Sequence, residues 1–126
     1  MKVWFYSLLG LLLFCACAFA TQSYVSKSAA RLNGSLQKTE ASLRLQHWGQ
    51  TAAHLRQVSE KWQKTKAVWA IFLHHNEIDN IEQSLIKSRE AVRCRDYTAS
   101  AVELGNLKYF INHVPHREGL DLVNIF

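Results

Sequence analysis

The sequence predicts an all-α fold: an antiparallel helical bundle of about four helices, built like a helical-hairpin repeat, behind an N-terminal transmembrane or signal helix. Three observations predict it. After residue 22, apolar residues recur at alternating steps of three and four, the period of a helix face and not of a strand. One proline and five glycines occur in 126 residues, too little punctuation for a sheet with many turns. The first twenty residues are almost wholly apolar.

The leader comes first. Val3 to Ala20 carries no charge, and only Tyr6 and Ser7 bear a hydroxyl. At 1.5 Å per residue this run spans about 27 Å, close to the thickness of a bilayer core. Lys2 supplies a minimal basic start, and Ala18-Phe19-Ala20 fits the small-x-small pattern of a signal-peptidase site. Residues 1–20 therefore read as a signal anchor or a signal peptide. The length favours the first and the alanines the second. Cys17 raises lipidation after cleavage, but Phe14 stands where a lipoprotein signal carries leucine. All of these put residues 21–126 outside the cytoplasm as one extracytoplasmic helical domain. It is held at the cell membrane by a single pass, or secreted after cleavage.

The first domain helix is read from about Ser23 to Leu45. Val25, Ala29, Leu32, Leu36, Thr39 and Leu43 form its seam, and it can continue directly from the leader. Gly34 costs about 1 kcal/mol there, and Asn33-Gly34 is also a turn dipeptide that can break the helix. Gln46-His47-Trp48-Gly49 interrupts the pattern. The second seam is Trp48, Ala52, Leu55, Val58, Trp62, Thr65, Trp69 and Phe72, a helix from about Trp48 to Leu73. The third is Ile78, Ile81, Leu85 and Val92, from about Glu77 to Cys94. The fourth is Ala101, Leu104, Leu107, Ile111 and Val114, from about Tyr97 to His113, closed by Pro115. The tail Gly119 to Phe126 is expected to fold back over a groove between helices through Leu120, Leu122, Val123, Ile125 and Phe126, the alternative being a partner-binding peptide.

Helices two and four resemble each other. With His47-Trp48 set on Asp96-Tyr97, Ala52 falls on Ala101, Leu55 on Leu104, Val58 on Leu107 and Trp62 on Ile111. The alanine of each copy is read as the small inner residue that lets two helices approach.

Charge and cysteine exclude several classes. The formal charge is +5, but the basic residues are scattered and no run of five like charges occurs. They read as ordinary solvated helix faces, the alternative being attraction to anionic headgroups or wall polymers, and no nucleic-acid partner is expected. Cys94 is the lone thiol after the leader, so a disulfide within the domain is excluded. A half-buried, inert thiol is expected, an intermolecular bridge being the alternative.

The chemistry-bearing side chains crowd into residues 62–82. Trp62 and Trp69, seven apart, face inward. A tight turn is expected near His74–Asn76, because helices two and three fused would run to about 70 Å. His74 and His75 then end helix two, Asn76 caps helix three, and Asp79 completes an approximate capping box. The same residues admit a metal reading. His75, Asp79 and Glu82 step by four and three, so they share one face if the helix reaches back to His75, with His113 or His116 to complete a shell. No His-Glu-x-x-His pattern accompanies them. An acid-base pair of His75 with Asp79 or Glu82 lacks a nucleophile or glycine-rich loop to serve. A ligand groove lined by Trp48, Trp62, Trp69 and Tyr97 is a further option, though buried aromatic core is the commoner fate of such residues.

A family resemblance follows from particular motifs. His75-x-Glu77-Ile78-Asp79-x-Ile81-Glu82, then Asp96-Tyr97, His113-Val114-Pro115 and the terminal Asn124-Ile125-Phe126 resemble domain-of-unknown-function family 4363. The resemblance implies a small helical, membrane-associated protein of Gram-positive bacteria and brings no reaction with it. The functional expectation is a non-enzymatic interaction or scaffold module at the cell envelope. It meets the membrane through its N-terminal helix and binds a protein partner or a second copy of itself, without a cofactor. The alternative is a metal- or small-ligand-binding sensor domain using the His75, Asp79 and Glu82 region.

Overall fold

The computed structural model describes the backbone of residues 1–124 and the side chains of residues 1–114. Four helices account for nearly all of the described residues: α1 (Lys2–Arg44), α2 (Trp48–Phe72), α3 (His75–Arg93) and α4 (Tyr97–Asn124). They pack antiparallel, each against two neighbours: α1 on α2 and α4, and α3 on α2 and α4. The α2–α3 contact is the least extensive of the four.

α1 is one unbroken helix, so the leader and the first domain helix are a single rod of about 65 Å. Its first half and its second half differ in kind. Residues 2–17 are exposed throughout, and α1 is the one described helix long and apolar enough to cross a membrane, a property shared by anchors and signal sequences. From Val25 onward the seam enters the core: Val25, Ala29, Leu32, Leu36, Thr39 and Leu43 are all buried. The helix does not break at Asn33-Gly34. Gly34 is helical, and a Cβ added there meets nothing within 4 Å. Gly34→Ala should therefore stabilise the bundle by about 0.5 to 1 kcal/mol through the unfolded state alone, raising Tm by a few degrees in a thermal melt.

The core continues with Leu55, Val58, Trp62 and Trp69 of α2, Ile78, Ile81, Leu85 and Val92 of α3, and Leu104, Leu107, Ile111 and Val114 of α4. Each contributes about 1.5 to 3 kcal/mol by leaving water. Three seam positions depart from expectation. Ala52 and Ala101 are exposed, and the buried small residues are Thr51 and Ser100, one place earlier. Thr51 Oγ1 donates to the His47 carbonyl at 2.9 Å, so its polarity is met within its own helix and it packs like an alanine. Phe72 is likewise exposed, and Leu73 takes the buried place.

The repeat is larger than helices two and four. At the same offset of 49, Leu32 falls on Ile81, Ser35 on Ser84, Leu36 on Leu85, Thr39 on Ser88 and Leu43 on Val92, and every one is buried. Thr39 donates to the Ser35 carbonyl at 2.9 Å, and its mate Ser88 to the Ser84 carbonyl at 2.7 Å. The two corners match as well. Gln46 N–H donates to Leu43 O and His47 N–H to Ser42 O, while Arg95 N–H donates to Val92 O and Asp96 N–H to Ala91 O. This paired pattern is a Schellman cap, and Gln46 (φ 55°) and Arg95 (φ 53°) hold its left-handed position. The chain is thus two copies of one helical hairpin, α1–α2 and α3–α4. A side chain in that backbone region is strained relative to glycine. Gln46→Gly and Arg95→Gly should each add about 1 kcal/mol, measurable by urea denaturation.

Three expectations need correction. The α2–α3 turn does not use Asn76 as its cap. α2 ends at Phe72, Leu73 and His74 are extended, and His74 is the N-cap of α3, its carbonyl accepting from Glu77 N–H at 3.0 Å. His75 is therefore the first residue of α3, not the last turn of α2. Burial of Leu73 sets the corner, and this outweighs the weaker preference of Asn for a cap. Second, α4 runs through Pro115 to Asn124, giving up one backbone bond at the proline. Third, Cys94 is exposed at the end of α3 and not half-buried. Ile125 and Phe126 lie outside the described residues, as do the side chains of the tail.

Candidate functional site

Trp62 and Trp69 are core residues, 1 % and 0 % exposed, with rings edge to face at 5.6 Å and 86°. Trp69 Nε1 donates to Ser28 Oγ at 2.9 Å, and that hydroxyl donates to the Tyr24 carbonyl at 2.8 Å. Trp48 and Tyr97 do not join them. Trp48 is only partly buried against the core and Tyr97 is exposed. Both begin their helices at the opposite end from Trp69, which is about 30 Å from Trp48 along α2.

The carboxylate and histidine cluster also separates. His75 and Asp79 are exposed. Glu82 turns toward α2, where its Oε1 accepts from Lys66 Nζ at 2.5 Å. His113 stacks on Tyr109 at 5.2 Å, and His116 is beyond the described side chains. Among the described residues no three His, Cys, Asp or Glu side chains are grouped to hold a metal ion.

A different feature stands out between α2 and α3. A groove of about 440 Å³ runs between them, walled by Ala52, Leu55, Ser59 and Gln63 of α2 and Leu85 and Val92 of α3. Its floor is apolar, and its rim carries Arg56, Arg89 and Arg93 against one carboxylate, Glu60. Arg93 is partly neutralised. Glu90 accepts from its Nε at 3.1 Å and its Nη2 at 2.5 Å. That bond and the adjacent negative charge hold the guanidinium above its ordinary pKa, so it remains a cation at any working pH.

The duplication explains why the groove exists. The interface between α4 and α1 is its counterpart, and there the mates of Ser59 and Arg89 are Lys108 and Glu40. Lys108 Nζ lies 3.6 Å from Glu40 Oε2 and ties the two helices across their contact. In the α2–α3 copy the lysine is a serine and the glutamate an arginine, so no tie forms at this position and a cation is left on the rim; α2 and α3 are joined instead outside the groove, by Lys66 and Glu82 at 2.5 Å. Reading the basic residues as scattered solvated charge missed this. The available signal was the exchange of Glu40 for Arg89 at the repeat offset, visible once the repeat is carried back into α1 and α3.

Neither a curated protein nor a solved structure matches the chain. The family model "Domain of unknown function (DUF4363)" matches residues 19–125, which takes in the whole bundle and leaves out most of the leader. The motifs of α3, the α3–α4 corner and the C-terminus, together with this match, place the chain in one family: it belongs to DUF4363.

Proposed function

We propose that the protein is a membrane-tethered, extracytoplasmic interaction module that performs no catalysis. Its docking surface is the α2–α3 groove, and the occupant is an acidic amphipathic helix of a protein partner. The observation that carries this reading is the arginine rim over an apolar floor, at the one repeat interface where the tying ion pair has been exchanged. A groove parallel to two helices, with leucine and valine below and guanidinium groups on both sides, fits a helix that has an apolar stripe edged by carboxylates. Several cations spread along both walls favour a peptide with several carboxylates over a lipid with one. The tether is supported by α1, which runs without interruption from an exposed apolar half into the core.

The test is site-specific photocrosslinking of the full chain in intact membranes. A crosslinker at Ser59 or Gln63 should capture one distinct polypeptide through an Asp- and Glu-rich helical segment, and one at exposed Gln37 should not. Arg56→Glu with Arg89→Glu should weaken capture by about ten-fold or more. Equal capture at Gln37, adducts to lipid alone, or adducts only to a second copy of this chain would each defeat the proposal.

A further inference from the structure

The bundle end nearest the leader carries an exposed apolar corner. Ile71 is 74 % exposed and Phe72 43 %, side by side at the end of α2. Two bonds set their height along α1: Trp69 Nε1 to Ser28 Oγ at 2.9 Å, and Lys61 Nζ to Ser35 Oγ at 2.6 Å. The two agree to within one residue on an antiparallel register, in which each step forward on α2 matches one step back on α1. Ile71 and Phe72 therefore lie level with about residues 24 to 26 of α1, roughly 8 Å beyond Ala20, where the apolar run ends. The headgroup layer on one side of a bilayer is about 5 to 8 Å thick. The corner thus sits at the outer edge of that layer when α1 is in the membrane.

The charge around this corner is one-sided. On α2, Lys61, Lys64, Val68 and Ile71 follow steps of three, four and three, one stripe that turns from basic to apolar toward the leader. On α1, Tyr24, Lys27 and Arg31 form the facing stripe with the aromatic ring lowest. Tyr24, Arg31, Lys61 and Lys64 line a common cleft of about 230 Å³ between the two helices. No Asp or Glu occurs in residues 21–39, and Glu60, one turn from Lys64, faces the α2–α3 groove instead. Among the described side chains, the carboxylates at this end are Glu77, Asp79 and Glu82, all on α3, which lies diagonal to α1. An aromatic or apolar residue at interface level, with cations just above it, is the order that a membrane surface with anionic headgroups selects.

From this arrangement we infer that the α1–α2 face is a second membrane contact. The bundle leans on the anionic bilayer in which its own α1 is anchored: Ile71 and Phe72 enter the headgroup layer, Lys27 and Arg31 follow above them, and Lys61 and Lys64, about 20 Å beyond Ala20, are brought toward the lipid phosphates by a tilt of α1 toward this face. The acidic start of α3 turns away from the surface, so the lean has one direction. This rests on the tether of the proposed function and is independent of the groove. It also leaves the groove, on the other side of α2, open to a partner.

The experiment uses the full chain in nanodiscs, with Cys15, Cys17 and Cys94 replaced by alanine and a fluorophore on a single new cysteine. Quenching by headgroup-nitroxide lipid is read for A70C beside the corner, Q46C at the far end and L12C in the leader. In nanodiscs containing phosphatidylglycerol, A70C should be quenched strongly and Q46C little. Pure phosphatidylcholine should reduce the A70C signal, as should Ile71→Ser with Phe72→Ser. Lys64→Gln should lower the ratio of apposed to free bundle by about five-fold. Quenching at A70C that is no greater than at Q46C, or that ignores lipid charge, overturns the contact while a quenched L12C keeps the tether. An unquenched L12C removes both. Circular dichroism of each variant, equal to the parent, shows that the bundle is intact; Ile71 contributes too little buried area for its loss to unfold it.

Discussion

Trp69→Ala should lower stability by about 3 to 5 kcal/mol, among the largest losses available to a single substitution here. The indole is fully buried, packs edge to face on Trp62 and donates to Ser28 across the α1–α2 contact. Alanine removes the ring's transfer energy and leaves a cavity that the helices cannot close, because Trp62 and the α1 seam hold them apart. Trp69→Phe separates the contributions. It keeps most of the packing and loses the N–H donor. Ser28 retains its own bond to the Tyr24 carbonyl, so the hydrogen-bond part of the cost should be near 1 kcal/mol. Urea denaturation of residues 21–126 is a fair assay, since side chains 2–17 are exposed and add nothing to the core. A loss below about 2 kcal/mol for Trp69→Ala is incompatible with a fully buried indole at this site.

Ala30→Pro should cost about 3 kcal/mol or more, even though Ala30 is exposed. Proline removes the bond from residue 30 N–H to the Ser26 carbonyl, and its ring collides with that carbonyl. The resulting kink falls within the first buried turns of α1, displacing Val25, Ser28 and Ala29. Ala30→Gly at the same place should cost only about 1 kcal/mol, because it leaves the bond intact. The difference between these two variants in a thermal melt measures the contribution of helix continuity. In membranes the proline variant should also lose the directed lean of the bundle, since α1 would no longer hold its two halves in line.

The Trp69 result concerns the part of the fold most legible in the sequence. Helix number, helix order and most of the buried face follow from steps of three and four, because a helix that must bury one face repeats apolar residues at its own period. That reading failed where polarity was a poor guide to burial. Thr51 and Ser100 are buried in place of Ala52 and Ala101. Thr51 returns its hydroxyl to its own backbone, while Ser100 Oγ has no partner among the described residues. It failed again at His74–Asn76, where local capping chemistry pointed to Asn76 and the packing of Leu73 placed the corner two residues earlier.

The candidate site was much less legible. Arg56, Arg89 and Arg93 are far apart in the chain, and each alone is an ordinary surface cation. They become a rim because α2 and α3 lie side by side and are tied outside the groove, by Lys66 and Glu82, and not at the position where Lys108 and Glu40 join α4 to α1. The histidine and carboxylate cluster shows the reverse. It is compact in sequence, yet the structure disperses it, with Glu82 drawn to Lys66 and His75 and Asp79 left in solvent.

The sequence by itself determined the all-α class, the apolar leader, the inward tryptophans, the core seam and a trace of the hairpin duplication. All of these are properties of one helix or of one repeated helix, set by neighbours a few residues apart. Only the tertiary structure decided the rest: the unbroken α1, the cap at His74, the open α2–α3 groove and the level of Ile71 and Phe72 above the leader. Each of those depends on which residues of two different helices come to the same height, and that register is fixed by packing across the bundle.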